Sequence, residues 1–331
     1  MLFKKDHQLA APALDRRDFL AMTTAAGLSL TCLPNTASAQ SKSVRWIVGF
    51  APGGGNDLVA RLLGQWLTDH YGQTYVIENR EGAAGNIATE AVIHSPPDAN
   101  TLLLISSNNA TNAAANDRVK ETFVNGIAPV AAISKNSLIM VVNNNVPAKT
   151  VPEFIAYAKA NPGKINMASA GSGGIGHLTG ELFKMMTGTD LVHVPFRGNA
   201  PALGALLGGH VDVLFPSFVS AKEFIKSGQL RGLAVTSAQR STDMPELPTV
   251  GDYLPGFEAE TWYGVGAPKA TPPALIQELN TQFAAALSDT GIVARFAEFG
   301  DIPTPMTAAK FNEFIEREIT KWTQVAKFAK L

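Results

Sequence analysis

Two glycine-rich stretches carry most of the chemical information in this chain. One is Pro52-Gly53-Gly54-Gly55-Asn56-Asp57; the other is Gly171-Ser172-Gly173-Gly174-Ile175-Gly176-His177. Each follows an apolar run and precedes a segment with helical spacing, so each reads as a turn from strand to helix. Glycine lets a backbone approach a ligand closely, because no side chain intervenes. Free amide hydrogens at a helix start, together with the positive end of the helix dipole, attract an anion. Neither stretch contains Lys or Arg. Neutral donors suit a carboxylate that must be released again better than a bidentate arginine clamp would. A third strand runs into Ser106-Ser107-Asn108-Asn109, where Ser106 and Asn108 add side-chain donors. Taken singly, each stretch is also what a plain tight turn looks like. Two matched turns, one per half of the chain, with a polar third, favour ligand binding.

Other chemistries fit less well. A nucleotide P-loop needs Lys and Ser or Thr after its last glycine, and Gly55 is followed by Asn56-Asp57. Gly171, Gly173 and Gly176 do match the dinucleotide fingerprint G-x-G-x-x-G, with Asp190 about 20 residues on. This is the alternative reading: an exported oxidoreductase holding a nucleotide cofactor at 171–176. The fingerprint acid, however, belongs at the end of the next strand, and Asp190 precedes that strand. The stretch around Ser172 has the outline of a nucleophile elbow. Of His177, His193 and His210, none follows Asp212, so the hydrolase order of Ser, acid, His is not met. No catalytic residue, no cofactor and no metal site is expected, since the histidines lack ligand spacing. His177 either donates to a ligand or caps its helix; both readings stay open. Trp46, Trp66 and Phe183 read as core, whereas Trp262 and Tyr263 fall where the chain recrosses between lobes and would line the cleft or the hinge.

The elements that must position these turns follow from the apolar pattern. Strands are expected over 44–50, 75–78, 101–105, 127–142, 164–168, 191–196, 211–215, 230–236 and 261–266. Between them, Leu58, Val59, Leu62, Leu63, Trp66 and Leu67 recur with helical spacing, with Asn56 or Asp57 as N-cap. Thr150-Val151-Pro152-Glu153 has the spacing of a capping box before a second helix. Further helices are expected over 201–207, 221–225, 272–287, 292–299 and 307–328. Strands alternating with helices indicate an α/β protein with parallel sheets covered on both faces.

The first 39 residues read as an address. Lys4 and Lys5 precede Arg16-Arg17-Asp18-Phe19-Leu20, an uncharged apolar run over 20–33, and Ala37-Ser38-Ala39. That order is a signal peptide of the twin-arginine type, shorter than the ~20 apolar residues that span a bilayer. Removing it leaves about 290 of the 331 residues, enough for two lobes, and places the product in the periplasm. Cys32 is the only cysteine and leaves with the signal, so no disulfide or thiolate chemistry remains. The formal net charge of −1, with no basic stripe, argues against nucleic acid as a partner.

Several stretches in order along the chain resemble one family. They include Val48-Gly49-Phe50-Ala51-Pro52-Gly53-Gly54, Val76-Ile77-Glu78-Asn79-Arg80, His177-Leu178-Thr179-Gly180-Glu181-Leu182-Phe183, His193-Val194-Pro195-Phe196-Arg197-Gly198 and Trp262-Tyr263-Gly264. The chain is similar to the solute-binding receptors of tripartite tricarboxylate transporters, the Bug-type periplasmic binding proteins. The resemblance implies a type II periplasmic-binding-protein fold, with two doubly wound lobes joined by a two-strand hinge. Lobe 1 would comprise 43–143 and 263–331, and lobe 2 would comprise 144–262. It implies a receptor that captures a small carboxylate between the lobes and delivers it to a large and a small integral-membrane subunit; a monomer is expected. The family grips a ligand carboxylate at the first turn, partly through ordered water, and at the second turn through a helix N-terminus. The residues so implicated are Pro52, Gly53, Gly54, Asp57, Ser106, Gly171, Ser172, Gly173 and His177; Asn56 and Asn108, beside them, complete the expected site. Pro216 and Ser217 join them, standing where many relatives carry an acid that meets a ligand amine or hydroxyl. Phe196 stands where Tyr is common, and 116–126 lacks the usual proline-rich pattern.

Overall fold

Apolar residues recur at the spacing of a strand buried on both faces in Val44, Trp46, Ile47 and Val48, and all four are buried. They form β1 (Val44–Val48) in a computed structural model that describes residues 43–331. The expected signal peptide lies outside those residues. The chain then runs α1 (Gly55–Tyr71), β2 (Tyr75–Asn79), α2 (Asn86–Ile93), β3 (Thr101–Ser106), α3 (Ser107–Ala115), α4 (Asp117–Gly126) and β4 (Ile127–Ser137). It crosses into β5 (Ile139–Val142), α5 (Val151–Ala160), β6 (Ile165–Ser169), α6 (Ile175–Thr187), β7 (Leu191–Pro195), α7 (Asn199–Leu207), β8 (Val213–Leu214), α8 (Phe218–Lys226) and β9 (Arg231–Val235). It returns through β10 (Glu260–Pro268), α9 (Pro273–Ser288), α10 (Thr290–Glu298), β11 (Asp301–Met306) and α11 (Ala308–Ala329).

These strands make a six-stranded sheet in the order β11-β4-β10-β3-β1-β2 and a five-stranded sheet in the order β7-β6-β8-β5-β9. Neither is wholly parallel, which corrects the expectation from alternation alone. β10 runs antiparallel to both β3 and β4, and β5 runs antiparallel to β8 and β9. β10 and β5, which carry the chain between sheets, are reversed, and so is the edge strand β11, which runs antiparallel to β4. Because β5 already pairs in the second sheet and β10 pairs in the first from Glu260, the crossings fall at Leu138 and near Ala259. The divisions drawn from sequence stood at 143/144 and 262/263. α11 packs against both sheets. Its first turns bury Phe311, Phe314 and Ile315 against the first sheet, while Trp322 and Val325 join the core of the second.

A single buried threonine ties the two crossings together. Thr236 Oγ1 donates to the Ala259 carbonyl at 2.6 Å, and the same oxygen accepts from the Leu138 amide at 3.0 Å. Its amide donates to the Leu138 carbonyl at 3.0 Å. Besides α3, which replaces a polar turn, two segments were not expected as elements. α4 begins where the Asn116 side chain accepts from the Arg118 and Val119 amides, a cap the apolar pattern does not reveal. β11 carries Pro303 and Pro305, tolerated because it is an edge strand.

Candidate functional site

The carboxyl ends of four strands lead into the residues expected to bind. β1 ends at the first glycine turn, β3 at Ser106, β6 at the second turn, and β8 at Pro216-Ser217. Ligands of open α/β sheets sit outside such ends. Both crossings lie at this end too. Ser106 is paired with Tyr263 of β10, and Leu138 forms an isolated bridge with Ser217.

The two turns are built alike, residue for residue. Gly53 and Gly173 have φ of +81° and +75°, a left-handed conformation that L-residues rarely adopt. Gly54 and Gly174 are the N-caps of α1 and α6, both extended, at φ/ψ of −78/167° and −72/163°. Asn56 and Asp57 therefore lie inside the first turn of α1 rather than capping it, because a cap must keep non-helical dihedrals. In each turn the amide of the positive-φ glycine is held by the side chain four residues on. Gly53 N–H donates to Asp57 Oδ2 at 2.9 Å, and Gly173 N–H donates to His177 Nδ1 at 3.0 Å. The next amides, at the first turn of each helix, have no intrahelical acceptor and stand ready for an anion.

Asp57 and His177 thus serve their own turns. Asp57 is almost fully buried; its Oδ2 also accepts from Arg61 Nε at 2.8 Å, and its Oδ1 from Asn79 Nδ2 at 3.0 Å. Burial pushes this carboxyl up, but Arg61, the Gly53 amide and Asn79 together outweigh burial and hold it below the usual range. At His177, accepting on Nδ1 assigns the ring proton to Nε2, which lies 3.6 Å from Glu181 Oε1. The Glu181 carboxyl is pushed up by burial and brought below its ordinary value by His177 and Lys184, the latter at 2.8 Å.

A second histidine supports the other glycine of that turn. His193 stacks on His177 with ring centroids 3.6 Å apart at 17°. Its Nε2 lies 2.6 Å from Ser169 Oγ, which donates to the Gly171 carbonyl at 3.0 Å and accepts from the Gly171 amide at 3.3 Å. Burial, with His177 beside it, pushes His193 down to about 4, so the ring is neutral at ordinary pH. Arg61, Asn79, Ser169 and His193 were not singled out from sequence. Each acts across a gap of several residues or from a neighbouring strand, which spacing alone does not show.

The remaining expected residues fall in the same region. Pro52, Gly53, Gly54 and Ser172 are exposed, while Gly171 and Asn108 are partly covered. Ser106 N–H donates to Asn109 Oδ1 at 2.9 Å, which opens α3 instead of a polar loop. Pro216 is buried, and Ser217 Oγ pairs with Ser220 Oγ at 2.8 Å. Asn56 Oδ1 and Ser106 Oγ are buried without a hydrogen-bond partner in the protein. Trp262 does not line the cleft: its indole donates to Glu318 Oε2 at 3.2 Å beneath α11. Tyr263 points to the opposite face, its hydroxyl 2.7 Å from where a Cβ on Gly55 would stand. Asp190 precedes β7, at the end of the sheet opposite the second turn, so it cannot serve as a fingerprint acid there.

The family model described as "Tripartite tricarboxylate transporter family receptor" matches residues 59–331. BugT of Bordetella pertussis is 36% identical over 290 residues, covering 87% of this chain and 89% of that protein. A Rhodopseudomonas palustris structure solved with adipate is 33% identical at a TM-score of 0.75, over 88% of this chain and 98% of that one. MatC from the same genus and species, with bound malate, is 29% identical at a TM-score of 0.71, over 86% and 98%. The chain therefore belongs to the family of tripartite tricarboxylate transporter receptors, among the Bug-type binding proteins.

Proposed function

We propose that the protein is a periplasmic receptor that closes two lobes around a small carboxylate and hands it to the membrane subunits of a tripartite tricarboxylate transporter. The observation that carries this is the pair of matched glycine turns, one per sheet, each at the carboxyl end of a parallel strand and each with free helix-start amides. Adipate and malate, bound in two similar proteins, support a carboxylate ligand. Export by the twin-arginine signal over 1–39 and release of a monomer complete the reading. Among the described residues no helix is long and apolar enough to cross a membrane, in keeping with a receptor that meets its transporter at the membrane surface.

The site residues are Pro52, Gly53, Gly54, Asn56, Ser106, Asn108, Gly171, Ser172, Gly173, Pro216 and Ser217, with Asp57 and His177 holding the turns in shape. The lobes, one around each sheet, would hinge where Thr236 binds both crossings. A ligand touching both lobes only when they are shut favours the shut state by its differential affinity. No catalytic step is part of this function.

A thermal-shift screen of the mature protein against adipate, malate, succinate, citrate and benzoate tests it. A ligand at about a hundred times its dissociation constant stabilises by about 2.7 kcal/mol. Gly53→Val and Gly173→Val, which cannot adopt positive φ without strain, should abolish that shift. A screen in which no carboxylate raises the melting temperature sinks the proposal.

A further inference from the structure

The helix α11 closes the chain against both hydrophobic cores, and one carboxylate marks where it passes from one to the other. Phe311, Phe314 and Ile319 share the core of the first sheet with Trp262, while Trp322 and Val325 share that of the second with Phe154, Phe183 and Phe215. Glu318 stands between these two groups. Its Oε2 accepts from the Trp262 indole at 3.2 Å and from the Trp322 indole at 3.0 Å. A single oxygen thus takes an N–H from the core of each lobe. All three side chains are buried, with Glu318 8% exposed and the two tryptophans 1% and 0%. An indole offers a donor and no acceptor, and leaving it unpaired at such depth is costly, so both rings depend on this one atom.

The clasp sits at the second crossing. Lys321, on the next turn of α11, donates to Glu318 Oε1 and, at 3.2 Å, to the carbonyl of Glu258. Glu258 and Glu260 flank Ala259, where the chain returns to the first sheet. Lys135 of β4, just before the first crossing at Leu138, lies 3.0 Å from Glu260 Oε2 and 3.5 Å from Glu258 Oε1. The charged side chains of Lys135, Glu258, Glu260, Glu318 and Lys321 therefore gather where Thr236 already joins the two crossings. A link through one oxygen has a further property. Hydrogen bonds reach an sp² oxygen from a broad range of directions, so the two indoles can turn about Oε2 without leaving it.

We infer that Glu318 is a third joint of the hinge: its carboxylate pins α11 to a tryptophan of each lobe and forms the pivot about which the lobes turn. This rests on the two-lobe receptor reading above and adds what holds the lobes in a defined relation before a ligand arrives. Two strand crossings alone leave the lobes free to twist as well as swing. A helix fastened to both cores at one point confines that motion to a rotation about the point. The two glycine turns then keep a fixed relation in the empty receptor, and less ordering is left for the ligand to impose.

Distance measurement between two spin labels on the ligand-free mature protein tests it. No cysteine remains once 1–39 is removed, so Gln65→Cys on α1 and Lys226→Cys on α8 put one label on each lobe, both at exposed positions. With the clasp intact the interlobe distance distribution should be narrow. Glu318→Leu, of similar volume, and Trp322→Phe, which keeps a ring but no donor, should each broaden it about twofold or more. Each should also weaken the best-binding carboxylate about tenfold, because fewer molecules hold the competent orientation. Glu318→Gln keeps an acceptor oxygen for both indoles and should leave the width as it was. Circular dichroism checks that the variants fold; were Glu318→Leu not to fold, Trp322→Phe decides. A distribution as broad with the clasp as without it, or a Gln variant as broad as the Leu variant, overturns the pivot. Failure of every carboxylate to bind strikes the capture reading alone, since the distances judge the hinge without a ligand.

Discussion

The hydrogen bond from the Gly173 amide to His177 Nδ1 makes a sharp forecast for His177→Ala. The substitution removes the acceptor at 3.0 Å that keeps the second turn in register, and with it a ring that is 4% exposed and stacked on His193. Losing the bond costs about 1 kcal/mol, and deleting a buried ring raises the total to about 3 kcal/mol of stability. For a chain of this size the melting temperature falls by about 6 to 12 °C. Affinity suffers separately. Gly173 at φ +75° is no longer fixed, so ligand binding must order the turn, which should weaken it about tenfold. Asn is the informative control. Its Oδ1 stands near the place of Nδ1, so His177→Asn should bind within about threefold of wild type while recovering only part of the stability. Thermal melts and calorimetric titration with whichever carboxylate binds best measure both quantities. The reasoning is refuted if His177→Ala keeps wild-type affinity, or if Asn at this position behaves like Ala.

The remaining expectations concern charge and close contact. His193 is held near 4 in the fold against 6.5 when free, so the unfolded chain takes up more protons between those values. Stability should fall as pH drops from 6.5 towards 4, by on the order of 2 kcal/mol after allowing for the ring's partial exposure, and His193→Gln should flatten that slope in urea melts. Asp301 has the opposite sign. Its folded value of about 7 lies above 3.8, so it weakens the fold as pH rises through that range. Asp301→Asn should add up to roughly 4 kcal/mol at about pH 8 and almost nothing near pH 3.5, and an equal effect at both would be contrary to burial of the carboxyl. Gly55→Ala would set a Cβ 2.7 Å from the Tyr263 hydroxyl, displacing the start of α1 and weakening ligand binding several-fold. Tyr263→Phe in the same chain should restore affinity, and failure to do so would place the effect elsewhere.

Much of the fold was legible because strand and helix periods alternate cleanly. Val44 to Val48, the run from Val59 to Leu67, and Ile165 to Ser169 sit in elements close to those expected. What periodicity cannot show is direction. β10 and β5 look like any other apolar strand, and only their pairing reveals that they run against their neighbours. α4 was hidden because only Phe123 of its ten residues is buried, which leaves little apolar signal. β11 was hidden by two prolines. At the site, the glycines were readable because a turn at positive φ leaves a composition mark. The residues that brace them were not. Asn79 reaches Asp57 from β2, and His193 reaches Ser169 from β7, so both depend on which strands lie side by side. Asp301 could not be anticipated at all, since its meaning comes from burial beside Ser134 and Asn136.

A crystal structure of the mature protein grown with a carboxylate that raises its melting temperature would test the two-turn grip most directly. The carboxylate oxygens should lie within hydrogen-bond reach, directly or through one water, of backbone amides at 54–56 and at 174–176 together. Density for the ligand on one lobe alone, or away from both turns with the lobes closed, would contradict it.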